Sequence, residues 1–111
     1  MSTGKRSLVP TETELVKSIL QLLQRHPKVA IAWRTNTGAA KFGERFVRFG
    51  YPGISDIIGM LKNGKFLAIE VKRPGKRPTL AQAAFLDRVG DTGIAILAND
   101  AEDVLEVLEE I

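Results

Sequence analysis

The amino-acid sequence predicts an α/β layer sandwich, a mixed β-sheet flanked by helices on both faces. Three observations carry that expectation. Helix-period and strand-period segments alternate in the order α-β-(β)-β-β-α-β-α, with no internal repeat and no low-complexity stretch. Two consecutive apolar runs, residues 55–61 and 65–72, flank the turn sequence Lys62-Asn63-Gly64 and read as a hairpin. Both faces of that hairpin are apolar, Ile58, Met60, Phe66 and Ala68 on one and Ile57, Leu67, Ile69 and Val71 on the other, so the sheet needs cover on both sides. The 111 residues suffice for one domain, 1–111, with residues 1–9 expected to be a flexible lead.

The first helix opens at Thr11, a natural N-cap, with Glu14 three residues on to complete a capping box. Its apolar stripe is Leu15, Val16, Ile19, Leu20, Leu22 and Leu23, and it runs to about His26, whose ring is expected at the negative end of the helix dipole. Glu12, three and four residues before Leu15 and Val16, belongs to the buried stripe, whereas Glu14 belongs to the polar side. Val29 to Trp33 is a short strand with Trp33 expected in the core, and 34–43 reads as a polar glycine-containing loop. Phe46 to Phe49 returns as a short strand before the turn Gly50-Tyr51-Pro52-Gly53. After the hairpin comes a basic loop, Arg73 to Pro78. Thr79 then caps a helix from Leu80 to about Val89, Gly93 to Ala98 forms a buried strand, and Asp100 caps a closing helix.

Loop length in the hairpin decides which charges meet. A two-residue turn would pair Lys62 with Lys65 and set Asp56 opposite Val71, away from Glu70. A three-residue loop, with Lys62-Asn63 in a type I turn and Gly64 left-handed in a bulge, pairs Leu61 with Lys65 and Asp56 with Glu70. Only this second register gathers Asp56, Glu70 and Lys72 on one face, and it is the expected one. Carboxylates interrupting buried strands are costly unless paired or bound to a cation, so the three groups point to metal-assisted hydrolysis of a phosphodiester. A buried Lys72 ion pair is the alternative reading.

Composition narrows the chemistry further. The absence of cysteine removes disulfides, thiolate metal sites and a cysteine nucleophile, and with His26 the sole imidazole, a metal would have oxygen ligands. No stretch approaches the roughly 20 apolar residues of a membrane span, and a cytoplasmic location is expected. Residues 25–77 hold twelve Lys and Arg against three acids, while residues 78–111 hold Arg88 against eight acids. Such a split suggests a basic face that meets a polyanion and an acidic segment turned to solvent.

The strings Gly50-Tyr51-Pro52-Gly53-Ile54-Ser55-Asp56, Phe66-Leu67-Ala68-Ile69-Glu70-Val71-Lys72 and Gln82, with Trp33-Arg34-Thr35-Asn36-Thr37-Gly38 upstream, resemble the VRR-NUC group of the PD-(D/E)xK nuclease superfamily. Ser55 stands where the superfamily motif has proline, a form common in that group. The resemblance implies a restriction-endonuclease-like core and a Mg²⁺- or Mn²⁺-dependent endonuclease for branched, Holliday-junction-like DNA in replication, recombination or repair. It also implies a homodimer; the need for a helicase or replication protein as a further partner is left open.

Carried onto this chain, Asp56, a Glu70 oxygen and the Val71 carbonyl hold the metal, with Glu12 reaching it directly or through water. Lys72 holds or deprotonates the attacking water, and Gln82 bonds the water or the phosphate. The favourable placement of an acid at a helix N-terminus competes with the role of Glu12, and the capping box with that of Gln82. Arg34, Asn36, Lys41, Arg45, Arg48, Arg73, Lys76 and Arg77 flank the site and suit DNA phosphates. Phe42, Phe46, Phe49 and Tyr51 suggest a dimer interface, with packing inside the monomer as the alternative. Two other functions fit the same fold: a non-catalytic DNA-binding subunit and a sequence-specific restriction-type nuclease.

Overall fold

The computed structural model describes residues 9–36 and 38–111; most of the expected N-terminal lead, residues 1–8, lies outside them. The element order is α1 (Glu12–Arg25), β1 (Val29–Arg34), β2 (Gly38–Phe42), β3 (Arg45–Phe49), β4 (Ile57–Leu61), β5 (Phe66–Val71), α2 (Leu80–Gly90), β6 (Ile94–Ala98) and α3 (Ala101–Glu109). Four strands form the central sheet in the order β1-β4-β5-β6, and β2 and β3 form a separate two-stranded ribbon. β1, β4 and β5 are antiparallel neighbours while β5 and β6 run parallel, so the sheet is mixed. With helices on both faces, this is the restriction-endonuclease-like architecture expected of the sequence.

Local chemistry sets the element ends. Thr11 Oγ1 accepts the Glu14 N–H at 3.1 Å and Glu14 Oε1 accepts the Thr11 N–H at 2.9 Å, a complete capping box. His26 is the C-cap of α1, and its Nδ1 accepts the Lys28 N–H at 3.1 Å. Thr79 and Gln82 repeat the box at the start of α2, and the Asp100 side chain accepts the Asp103 N–H at 2.9 Å to start α3.

α1 packs on the face of the sheet that carries Ile57, Leu61, Leu67, Ile69 and Val71, through Leu15, Val16, Ile19 and Leu23, and α3 adds Val104 and Leu108. α2 covers the opposite face, but only over β5 and β6. The sequence expectation that helices cover both faces therefore holds for half of the second one. On that face β1 and β4 stay open, and Trp33, expected in the core, is 46% exposed, with Ile31 and Met60 exposed beside it.

The stretch 34–43 is a second correction. It contains strand β2, which pairs antiparallel with β3 from Gly38↔Phe49 to Phe42↔Arg45. Gly-Ala-Ala-Lys carries almost no β-propensity, and cross-strand pairing with the favourable Arg45–Phe49 segment supplies what the local sequence lacks.

Candidate active site

The β4–β5 hairpin decides the site. Ile57 pairs with Ile69, Gly59 with Leu67 and Met60 with Phe66. The Gly64 N–H donates to the Leu61 carbonyl and the Leu61 N–H to the Lys65 carbonyl, both at 2.9 Å. Gly64 has φ of +90°, the left-handed conformation that a side-chain-bearing residue adopts only with strain. This is the three-residue loop with a bulge, and its register, continued by one residue, sets Asp56 opposite Glu70.

The two acids and Lys72 are brought together as that register requires. Asp56 Oδ2 accepts the Val71 N–H at 2.8 Å, which ties the end of β4 to the strand carrying the second acid. The Lys72 ammonium lies 3.4 Å from Glu70 Oε2. Glu70 is only 1% exposed, and among the described residues neither of its oxygens has a hydrogen-bond partner. Burial pushes its carboxyl up from the ordinary 4.5 to about 7; repulsion from Asp56 adds to the shift and Lys72 offsets part of it. A buried carboxylate that accepts no hydrogen bond and lies beside another carboxylate is a poor structural ion pair, because one ammonium at 3.4 Å does not replace the lost hydration. The same donor set fits a hard divalent cation, which takes oxygen ligands and leaves room for water and phosphate.

Beside Asp56 opens a polar cleft of about 470 Å³ lined by Arg34, Thr35, Asn36, Ile54, Asp56 and Gln82. Arg34, Asn36 and Gln82 thus share one wall space with Asp56. Gln82 Oε1 is committed to the Thr79 N–H at 2.8 Å, so only its amide N–H₂ is left for a ligand. Arg73, Lys76 and Arg77 lie on the loop that leads into α2, and Lys41, Arg45 and Arg48 on the β2–β3 ribbon. A second hollow, about 380 Å³ and mostly apolar, lies at the other end of β4 beside Leu61 and Ile111. Among the described residues no Asp or Glu lines it, and the Lys28 ammonium at its edge is bonded to the Leu108 and Ile111 carbonyls.

Glu12 is half-buried, on the stripe the periodicity gave it, whereas Glu14 is exposed. Yet among the described residues no three acids or imidazoles converge as a metal cluster, so Glu12 does not join Asp56 and Glu70. The reason is topological. By strand alternation Glu70 faces away from Leu67, Ile69 and Val71, and those are the residues against which α1 packs.

Two contributors escaped the sequence reading. Thr35 fixes the segment bearing Asp56: its Oγ1 donates to the Ser55 carbonyl at 2.7 Å and its N–H to the Asp56 carbonyl at 2.9 Å. Asn99 Nδ2 donates to the Lys72 carbonyl at 2.8 Å, while the Lys72 N–H donates to the Ala98 carbonyl at 3.0 Å. Both act through partners remote in sequence, and no spacing rule announces them. Gly53, with φ of +77°, completes the frame: a Cβ there would run into the Ala81 backbone, so glycine lets the Asp56 loop lie directly on α2.

A mixed sheet that presents two carboxylates and a lysine from adjacent strands beside a polar, arginine-lined cleft defines the class of PD-(D/E)xK-like nuclease cores. The chain belongs to the VRR-NUC family, whose domain model matches residues 8–99. A phage protein described as "Putative nuclease p44", from Acyrthosiphon pisum secondary endosymbiont phage 1, is 31% identical over 67 residues, covering 60% of this chain and 72% of its own length. No solved structure matches the chain. Among the described residues no helix is long and apolar enough to cross a membrane.

Proposed function

We propose that this nuclease domain is a Mg²⁺- or Mn²⁺-dependent endodeoxyribonuclease selective for branched DNA. The observation that supports the metal dependence is the buried Glu70 carboxylate beside Asp56, neither of whose oxygens accepts a hydrogen bond among the described residues and which has one ammonium, that of Lys72, for a counter-charge there. Asp56, Glu70 and the Val71 carbonyl would hold the cation, with Glu12 contributing at most through water. Bound there, the metal supplies Lewis acidity toward a phosphate oxygen and acidifies water. Water attacks phosphorus and the bond to one deoxyribose oxygen breaks, that oxygen taking up the proton the water gives up, so that a phosphate monoester and a free hydroxyl remain. The Lys72 ammonium holds the attacking water and balances the negative charge that grows on the phosphate oxygens. Arg34, Asn36 and the Gln82 amide fix the phosphate in the cleft, and the flanking lysines and arginines set the duplex without reading its sequence.

The test is incubation with Holliday junction, flap, splayed-arm and linear duplex DNA in Mg²⁺, Mn²⁺ or EDTA. Metal-dependent cutting of branched substrates is expected. Cutting of linear duplex at a fixed sequence would favour a restriction-type enzyme, and binding without cutting a non-catalytic subunit. Glu12→Gln is expected to slow cleavage severalfold if water links it to the cation. Glu14→Ala should leave the rate intact and cost about 0.5–1 kcal/mol in thermal melts through loss of the cap; the reverse ranking of rates would remove Glu12 from the site.

Paired cuts across a four-way junction need two sites, and this reading includes a two-fold homodimer. Phe42, Phe46, Phe49 and Tyr51 are all exposed, which supports an interface in this region, although Tyr51 also packs on Phe85 with ring centroids 5.8 Å apart. Phe42 and Phe49, together with the open sheet face of Trp33 and Met60, are the surfaces it would use. Light scattering at micromolar concentration should return twice the 12.2 kDa chain mass; a strictly monomeric species with and without junction DNA would end the paired-cut scheme.

A further inference from the structure

The β2–β3 ribbon stands apart from the central sheet, and no helix or further strand packs extensively against it among the described residues. It is nevertheless rooted at the cleft from both ends. β2 begins two residues after Asn36, and β3 leads through the Gly50–Gly53 turn to Asp56. The Tyr51–Phe85 contact and the seat of Gly53 on Ala81 fasten that root to α2. A five-residue ribbon projects about 17 Å from its root, the length of about five base-pair steps.

The register gives the ribbon two unlike faces. Lys41 pairs directly with Phe46, and Arg48 follows two residues on, so these three share a face. Phe42, paired with Arg45, lies on the other. On the first face the Arg48 guanidinium carbon stands 6.0 Å from the Phe46 ring centroid, and Phe46 is 66% exposed. The lone acid of the ribbon, Glu44, is in its turn rather than on that face. An aromatic ring open to water between two cations suits a nucleic-acid strand: the cations meet phosphates and the ring meets a base.

We propose that Phe46, flanked by Lys41 and Arg48, is a stacking platform for an unpaired nucleotide within about five positions of the bond cut at Asp56 and Glu70. The assignment rests on the nuclease reading and adds to it the feature of branched DNA that is sensed. In duplex the base faces are already stacked on one another, so the ribbon gains only its phosphate contacts. At a flap, splayed arm or opened junction a base face is free, and the ring adds binding there alone. Phe46 thereby converts single-strandedness near the cleft into affinity.

The test measures, by fluorescence anisotropy, the ratio of affinities for splayed-arm and blunt duplex DNA of equal length, with Ca²⁺ in place of Mg²⁺ as a cation that takes the same oxygen ligands. Wild type should prefer the splayed arm. Phe46→Ala should lower the ratio about tenfold, and Phe46→Trp should keep it. 2-Aminopurine at an unpaired position beside the branch should be quenched by wild type and not by Phe46→Ala. A ratio that ignores Phe46→Ala, or a loss that tracks a fall in the light-scattering mass and so assigns Phe46 to a second copy, would overturn the proposal. DNA cutting that persists with a ratio indifferent to Phe46 leaves the nuclease reading standing without this one. A Phe46-dependent ratio in a protein that cuts no DNA leaves this one standing without catalysis.

Discussion

In EDTA the melting temperature is expected to fall as pH is raised from 5 to 7.5, and Glu70→Gln is expected to remove that part of the fall. The unfolded chain releases the Glu70 proton near the ordinary 4.5, whereas burial beside Asp56 holds it in the fold to about 7. Between those values the folded state binds one more proton than the unfolded state, so stability decreases as pH rises. It is highest below about 4.5, and the loss is complete above about 7. A shift of this size corresponds to on the order of 3 kcal/mol, or roughly 10–15 °C for a chain of this length. Mg²⁺ or Mn²⁺ is expected to reverse the sign, because a cation held by the ionised carboxylates would stabilise the fold more as they lose protons. Thermal melts of wild type and Glu70→Gln across this range, with and without metal, make the comparison. Parallel wild-type and variant curves in EDTA would show that Glu70 titrates normally and would remove the argument that its site is built for a cation.

What was legible in the sequence is what depends on local chemistry or on period-two alternation. Thr11 with Glu14 and Thr79 with Gln82 form the capping boxes their spacing announces. The position of Gly64, together with the requirement that Asp56, Glu70 and Lys72 share a face, chose the hairpin register found in the fold. What was not legible depends on how elements meet. Periodicity placed Glu12 on the buried stripe of α1 but could not say which face of the sheet that stripe covers, and α1 covers the face turned away from Glu70. Trp33 sits in an apolar strand like any core residue. It stays exposed because an eleven-residue α2 reaches over β5 and β6 and no further. β2 hides in a stretch of glycine and alanine because its partner strand, rather than its own side chains, makes it a strand.

Lys72→Ala is expected to lower the cleavage rate by at least 100- to 1000-fold, the scale found when one preorganised donor is removed from a site of developing charge. Its ammonium is the single cationic group paired with Glu70 among the described residues, and it is only 14% exposed, so bulk water cannot take over its role. Backbone bonds from Lys72 to Ala98 and from Asn99 to Lys72 hold the stem in place, and they survive the substitution. The loss should fall on kcat rather than KM, because the proposed DNA contacts of Arg34, Asn36 and the basic loops are left in place. One side effect must be separated. Without the ammonium, Glu70 keeps its proton to still higher pH, and metal binding weakens near neutrality. Rates are therefore compared at pH 8 and above under saturating Mg²⁺ or Mn²⁺, where the carboxylates are ionised in both proteins. Anisotropy on uncut junction DNA should show affinity within a few-fold of wild type. A variant that folds by circular dichroism, binds metal and turns over at the wild-type rate would exclude Lys72 from the chemistry. The lysine would then be a counter-ion for Glu70, and charge stabilisation would pass to Arg34 in the adjoining cleft.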